Sequence, residues 1–102
     1  MSSSFIYLLS GVSGNASNSV SVIGMEKFSV SLHANRVGNA PATGTLEVNG
    51  RLDPSAPYVT IYSNTFTDSG NIITQFDGPL ENLQAKLASF STGTFSIACR
   101  YV

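Results

Sequence analysis

The chain has 102 residues, 42% hydrophobic and 11% charged, with five Lys or Arg against six Asp or Glu and a net charge of −1. So much apolar content with so little net charge excludes a disordered chain, and the length is one domain, able to bury a little under about two-thirds of its unfolded surface. Basic residues scattered singly leave no patch to neutralise phosphates, and one cysteine, Cys99, allows neither an intrachain disulfide nor a cysteine zinc site.

Phe5 to Leu9 is a short apolar run with no basic flank, far below the ~18 residues that span a bilayer. It reads as a first strand, and neither a secretory signal nor a membrane anchor is visible. Gly11 to Asn18 has the glycine, serine and asparagine content of a loop. Val20, Val22 and Ile23 form a second apolar patch. Phe28, Val30 and Leu32 then alternate with Ser29 and Ser31, which is strand spacing. A loop over 35–43 follows. Thr45 to Leu52 alternates again, with Leu46, Val48, Gly50 and Leu52 expected on one face. Asp53-Pro54-Ser55-Ala56-Pro57 is a turn by its chemistry. Tyr58 to Tyr62 is a short strand, expected to face Val59 and Ile61 inward and Tyr58, Thr60 and Tyr62 outward.

Asp68 to Asn71 makes the next turn, and Ile72 to Phe76 the next strand. The stretch from Pro79 to Phe90 fits two periods: Leu80, Leu83 and Leu87 sit at helical spacing, while Leu83, Ala85 and Leu87 alternate. The turn-bounded strands on either side favour a strand. In the last segment, GTFSIACRYV, Phe95, Ile97, Cys99 and Tyr101 point one way and Thr94, Ser96, Ala98 and Arg100 the other. This adds up to an all-β chain of seven or eight antiparallel strands, in a β-sandwich with Greek-key or jelly-roll connections.

Candidates for chemistry each have a simpler use. His33 shares the face of Ser29 and Ser31, the expected solvent side, without a catalytic neighbour in sequence. Cys99 falls on the inward face as core filler, with no basic residue expected there to activate it. Asp53, Asp68 and Asp77 adjoin Pro or Gly in turns, and Asp68-Ser69-Gly70-Asn71 is only a fragment of a calcium loop. Asn15-Ala16-Ser17 matches the glycosylation acceptor pattern, which is common by chance. Gly11-Val12-Ser13-Gly14 lacks the lysine and helix of a phosphate loop. Tyr58 and Tyr62 make the one outward aromatic pair, suited to a protein interface or to a sugar.

The run GTLEVNGRLDPSAPYVTI and the following NTFTDSGNIITQFDGPLENLQAKLASFSTGTFSIACRYV resemble small β-sandwich structural proteins of tailed bacteriophages. The matching features are the strand Leu46 to Leu52 leading into an aspartate turn, and the aromatic strand Tyr58 to Tyr62. Asp77-Gly78-Pro79-Leu80 ahead of Leu83 to Leu87 matches too, as does the turn from Ser89 to Thr94 before the last strand. Two departures are Tyr58 where a tryptophan is common and Lys86 where an arginine is frequent. The resemblance implies a non-enzymatic virion protein without a cofactor, a capsid decoration (cement) protein above all, or else a head–tail or tail component. It implies the major capsid protein or another virion protein as partner, self-association into a homo-oligomer, synthesis in the host cytoplasm, and no role for nucleic acid or membrane. Its expected interface residues are Phe5, Ile6, Tyr7, Tyr58 and Tyr62. Within a single domain over 1–102, residues 1–9 serve either as the first strand or as an arm adding to a neighbour's sheet edge. A carbohydrate-binding or host-adhesion module is the rival, since fold does not fix function.

Overall fold

The computed structural model describes residues 4–23, 25–77 and 79–101. They form eight strands: β1 (Ser4–Val12), β2 (Ala16–Ser21), β3 (Lys27–Asn35), β4 (Thr43–Arg51), β5 (Val59–Phe66), β6 (Gly70–Asp77), β7 (Asn82–Thr92) and β8 (Thr94–Tyr101). Every pairing is antiparallel, in two four-stranded sheets of order β1-β8-β3-β6 and β2-β7-β4-β5. This is the jelly-roll order. Only β4 and β5 are neighbours both in sequence and in a sheet; every other connection passes from one sheet to the other. No helix among the described residues is long and apolar enough to cross a membrane.

The central strands carry the core because their alternation is cleanest. Phe28, Val30, Leu32 and Ala34 of β3 and Phe95, Ile97 and Cys99 of β8 face Leu46 and Val48 of β4 and Leu83, Ala85 and Leu87 of β7. Each is 1% exposed or less. Burying a side chain of this size contributes about 1.5–3 kcal/mol, so this block dominates stability. Phe66 and Phe90 pack around Phe95, with ring centroids 6.3 and 6.1 Å away. The stretch with two competing periods is β7, a central strand.

Three expectations need correction, and β1 adds a second bulge. Ala16–Ser21 is a strand, although its serine and asparagine content reads as loop; pairing with β7 from Ala16↔Leu87 to Ser21↔Asn82 overrides propensity. Leu52 lies past the end of β4 and is 76% exposed. In β5 an extra residue, Ile61, falls between the pairs Val48↔Tyr62 and Asn49↔Thr60. That bulge reverses the alternation beyond it, so Tyr62 packs against the core together with Ile61, which faces inward as expected; Val59, opposite Gly50 at the start of this edge strand, is 63% exposed. In β1 an extra residue, Leu8, falls between Tyr7↔Ala98 and Leu9↔Ile97. Leu8 and Leu9 are consequently both buried, whereas Phe5 and Tyr7 face out.

Candidate functional site

The outer face of the first sheet is one of two places among the described residues where exposed apolar side chains and a concavity coincide. The register aligns Tyr7, Ala98, Ser31 and Ile73 in one row across β1, β8, β3 and β6. Phe5, Arg100, Ser29 and Gln75 form the next row. The middle strands contribute small side chains and the margins large ones, which leaves a groove of about 180 Å³ lined by Phe5, Ser29, Ser31, Ile73, Ala98 and Arg100 among others. Phe5 and Tyr7 are each 52% exposed and meet edge to face, with centroids 5.3 Å apart and planes at 83°. The Arg100 guanidinium lies 5.2 Å from the Phe5 ring centroid, within cation–π range. Ile73 forms the other wall.

Of the residues expected at an interface, the structure brings Phe5 and Tyr7 together. Ile6, between them, turns to the core and is half-buried. Tyr58 and Tyr62 do not make a pair, because the bulge separates their directions. Tyr58 lies under the Arg51 guanidinium, 4.4 Å from ring centroid to Cζ. Sequence reasoning missed Ile73, although adjacent isoleucines in an alternating strand require one of them to face out. It also missed a second exposed surface at the end of the other sheet. There Leu52, Pro57, Val59, Ile61 and Leu80 line an apolar hollow of about 430 Å³.

Ser31 Oγ lies 2.9 Å from His33 Nε2, and His33 Nδ1 lies 2.7 Å from Asn71 Oδ1. With Asn71 accepting, Nδ1 carries the proton and Nε2 accepts from the serine hydroxyl. The chain of groups resembles a nucleophile, base and orienting residue. β3 is paired on both sides, so the sheet occupies the backbone N–H groups of Ser31 and His33 themselves. Burial pushes the Cys99 thiol up to about 11, which keeps it protonated and inert.

Two of the aspartates, Asp53 and Asp68, serve turns, whereas Asp77 ends β6 opposite Lys27. Asp53 Oδ1 accepts from the Ser55 N–H (3.0 Å) and hydroxyl (2.9 Å), bonds that hold its carboxyl below the usual range. Arg36 donates through Nε and Nη2 to the two Asp68 oxygens at 2.7 and 2.6 Å, tying the β3–β4 connection to the β5–β6 turn. That hydrogen bonding, the Ser69 N–H and the Arg36 charge lower the Asp68 carboxyl to about 2. No three His, Cys, Asp or Glu side chains converge among the described residues.

No family model matches the chain, and no curated protein does. Solved structures do. The SPBc2 prophage-derived protein YomS superposes with a TM-score of 0.75 at 10% identity, over 98% of this chain and 92% of that one. A protein of the disulfide-linked pili that form Bacillus endospore appendages gives 0.55 at 12% identity, over 99% and 87%. A CBM4 structure gives 0.50 at 12% identity, over 93% of this chain and 66% of that one. At such identities the likeness is one of fold.

Proposed function

We propose that this chain is a non-enzymatic structural protein of a tailed-phage virion, specifically a capsid decoration (cement) protein that docks through the outer face of its first sheet. The observation that carries this reading is the Phe5–Tyr7 ridge, half-exposed beside a groove with a small-residue floor. Aromatic and arginine side chains flanking a pocket are the usual anchors of a protein interface. The rigid sandwich and the sparse charge suit a part whose work is to add contact area between capsid subunits. Likeness in fold to a prophage-derived protein is consistent with this origin. A head–tail or tail component would use the same face.

The test is co-sedimentation of the purified chain with capsids of the producing phage, with mass spectrometry of native particles alongside. The chain is expected in the particles and bound to capsids. Tyr7→Asp replaces an interface anchor with a charge and is expected to weaken binding about 30-fold, the equivalent of a hot spot worth about 2 kcal/mol. Particles without the chain, or a Tyr7→Asp protein that binds like the original, would refute the assignment.

The rival glycan-binding reading draws on the other sheet. Its outer face carries Ser17, Ser19, Glu47, Asn49, Gln84 and Lys86 in paired rows, with Asn49 Nδ2 donating to Gln84 Oε1 at 2.9 Å. The buried Asn49 Oδ1 has no partner among the described residues. Sugar binding that is lost on Gln84→Ala would favour this reading.

A further inference from the structure

The four edge strands of the sandwich are not equally protected. On one flank β1 is bulged, lies against β2, and has its Leu8 carbonyl capped by the Asn18 amide (Nδ2 to O, 3.1 Å). On the other flank β5 is broken by the bulge at Ile61. β6 has none of these devices. Its eight residues pair with β3 without a register shift, and they include neither Lys nor Pro. A long regular edge of this kind presents its N–H and C=O groups as a template for another strand.

We propose that β6 pairs antiparallel with β6 of a second copy, joining the two first sheets into one eight-stranded sheet about a two-fold axis perpendicular to it. Side chains directly opposite in an antiparallel pair share a face, so the register centres on a single residue. Centred on Ile73, it sets Ile73 beside Ile73 of the second copy, covering a side chain that is 73% exposed. Asn71 then faces Gln75. With its Oδ1 taken by His33, Asn71 offers Nδ2 to the glutamine carbonyl. On the inner face, Thr74 meets Ile72 and Phe76 meets Gly70, whose missing side chain leaves room for a ring.

Charge is compatible as well. Asp77, the one charged residue of β6, falls opposite Ser69, so no like charges meet. Centring on Thr74 instead would set Ile73 against Gln75 and Asn71 against Asp77, losing the match. The pairing closes on itself as an isologous dimer, and it leaves each Phe5–Tyr7 ridge at the far margin of the joined sheet. It therefore stands or falls separately from the capsid reading.

Sedimentation equilibrium of the intact chain is expected to give twice the 10.7 kDa chain mass. The double variant Ile73→Lys/Gln75→Lys alters two exposed positions and crowds four lysines around the axis. It is expected to keep its circular dichroism and sediment as one chain. Ile73→Cys is expected to form a covalent dimer on oxidation, because residues paired at the axis have Cα atoms about 4.5–5.5 Å apart, within disulfide reach. Leu52→Cys, similarly exposed but in the β4–β5 connection of the other sheet, is the control. A wild-type chain of single mass at the highest concentrations reached would overturn the proposal. So would a dimer that persists with both lysines, or cross-linking no better through residue 73 than through residue 52.

Discussion

Replacing Gly93 with alanine tests whether the crossing from one sheet to the other is as tight as the geometry makes it. Gly93 is the single residue between β7 and β8, which lie in different sheets. Its φ is +102°, and a Cβ there would sit 2.7 Å from Ala42 Cβ, 2.8 Å from Ala42 Cα and 2.9 Å from the Asn35 carbonyl oxygen. Two of those three atoms are backbone, and all belong to the adjoining β3–β4 segment, so no flexible side chain can swing aside. The Gly93 carbonyl also accepts from the Ser13 hydroxyl at 2.9 Å, and the Thr92 hydroxyl donates to the Pro41 carbonyl, which fixes the turn on both sides.

Overpacking of this kind costs about 1–3 kcal/mol, and the positive φ about 1–2 kcal/mol more. The sum, roughly 2–5 kcal/mol, is a drop on the order of 10–30 °C in Tm for a domain of this size. Gly38→Ala separates the two contributions. Its φ is +63° and a Cβ there meets nothing within 4 Å, so it should lose only about 1 kcal/mol. Paired thermal and denaturant unfolding of the two variants measures the difference. A Gly93→Ala protein that melts no lower than Gly38→Ala would refute the claimed contact.

Three further outcomes follow from buried and paired groups. Ile97→Asp places a carboxylate at a fully buried position, and because an unpaired buried charge costs several kcal/mol of a total of about 5–15, no cooperative unfolding transition should remain. A soluble mutant that unfolds cooperatively would contradict the assigned face. Cys99, whose thiol rises from an ordinary 9.0 to about 11 in the fold, should resist thiol reagents until the chain unfolds. Since the native chain keeps a proton that the unfolded chain releases, this stabilisation is complete below pH 9 and is lost as pH rises towards 11; alkaline denaturation of wild type against Cys99→Ala reads it. For Asp68 the sign is opposite. With its carboxyl lowered from 3.8 to about 2, its contribution is present above pH 3.8 and lost as pH falls through 2. A carboxyl NMR titration of Asp68 with an ordinary midpoint, unchanged by Arg36→Ala, would show that the pair does not persist in solution.

Where alternation was unbroken, local pattern and structure agree. In β8, Phe95, Ile97 and Cys99 are buried as their spacing requires, and β3 behaves likewise through Phe28, Val30 and Leu32. The candidate surface was legible only in part. Phe5 and Tyr7 stand out as aromatics, but the run they belong to reads as wholly apolar, and nothing in it says that Leu8 is the extra residue. Tyr58 and Tyr62 look like a pair until the bulge at Ile61 is known. The His33–Asn71 contact joins residues on two strands, which no spacing along one strand can reveal.

The all-β class, the turn-bounded strands and the apolar faces of the central ones follow from local pattern, because a side chain's direction in an extended backbone depends only on its position along that backbone. Tertiary structure alone decided the order of the strands in each sheet, the strand at Ala16–Ser21, the bulges at Leu8 and Ile61 and hence which of their apolar side chains meet solvent. Those features come from hydrogen bonding to strands distant in sequence, and a single inserted residue there reverses every face that follows.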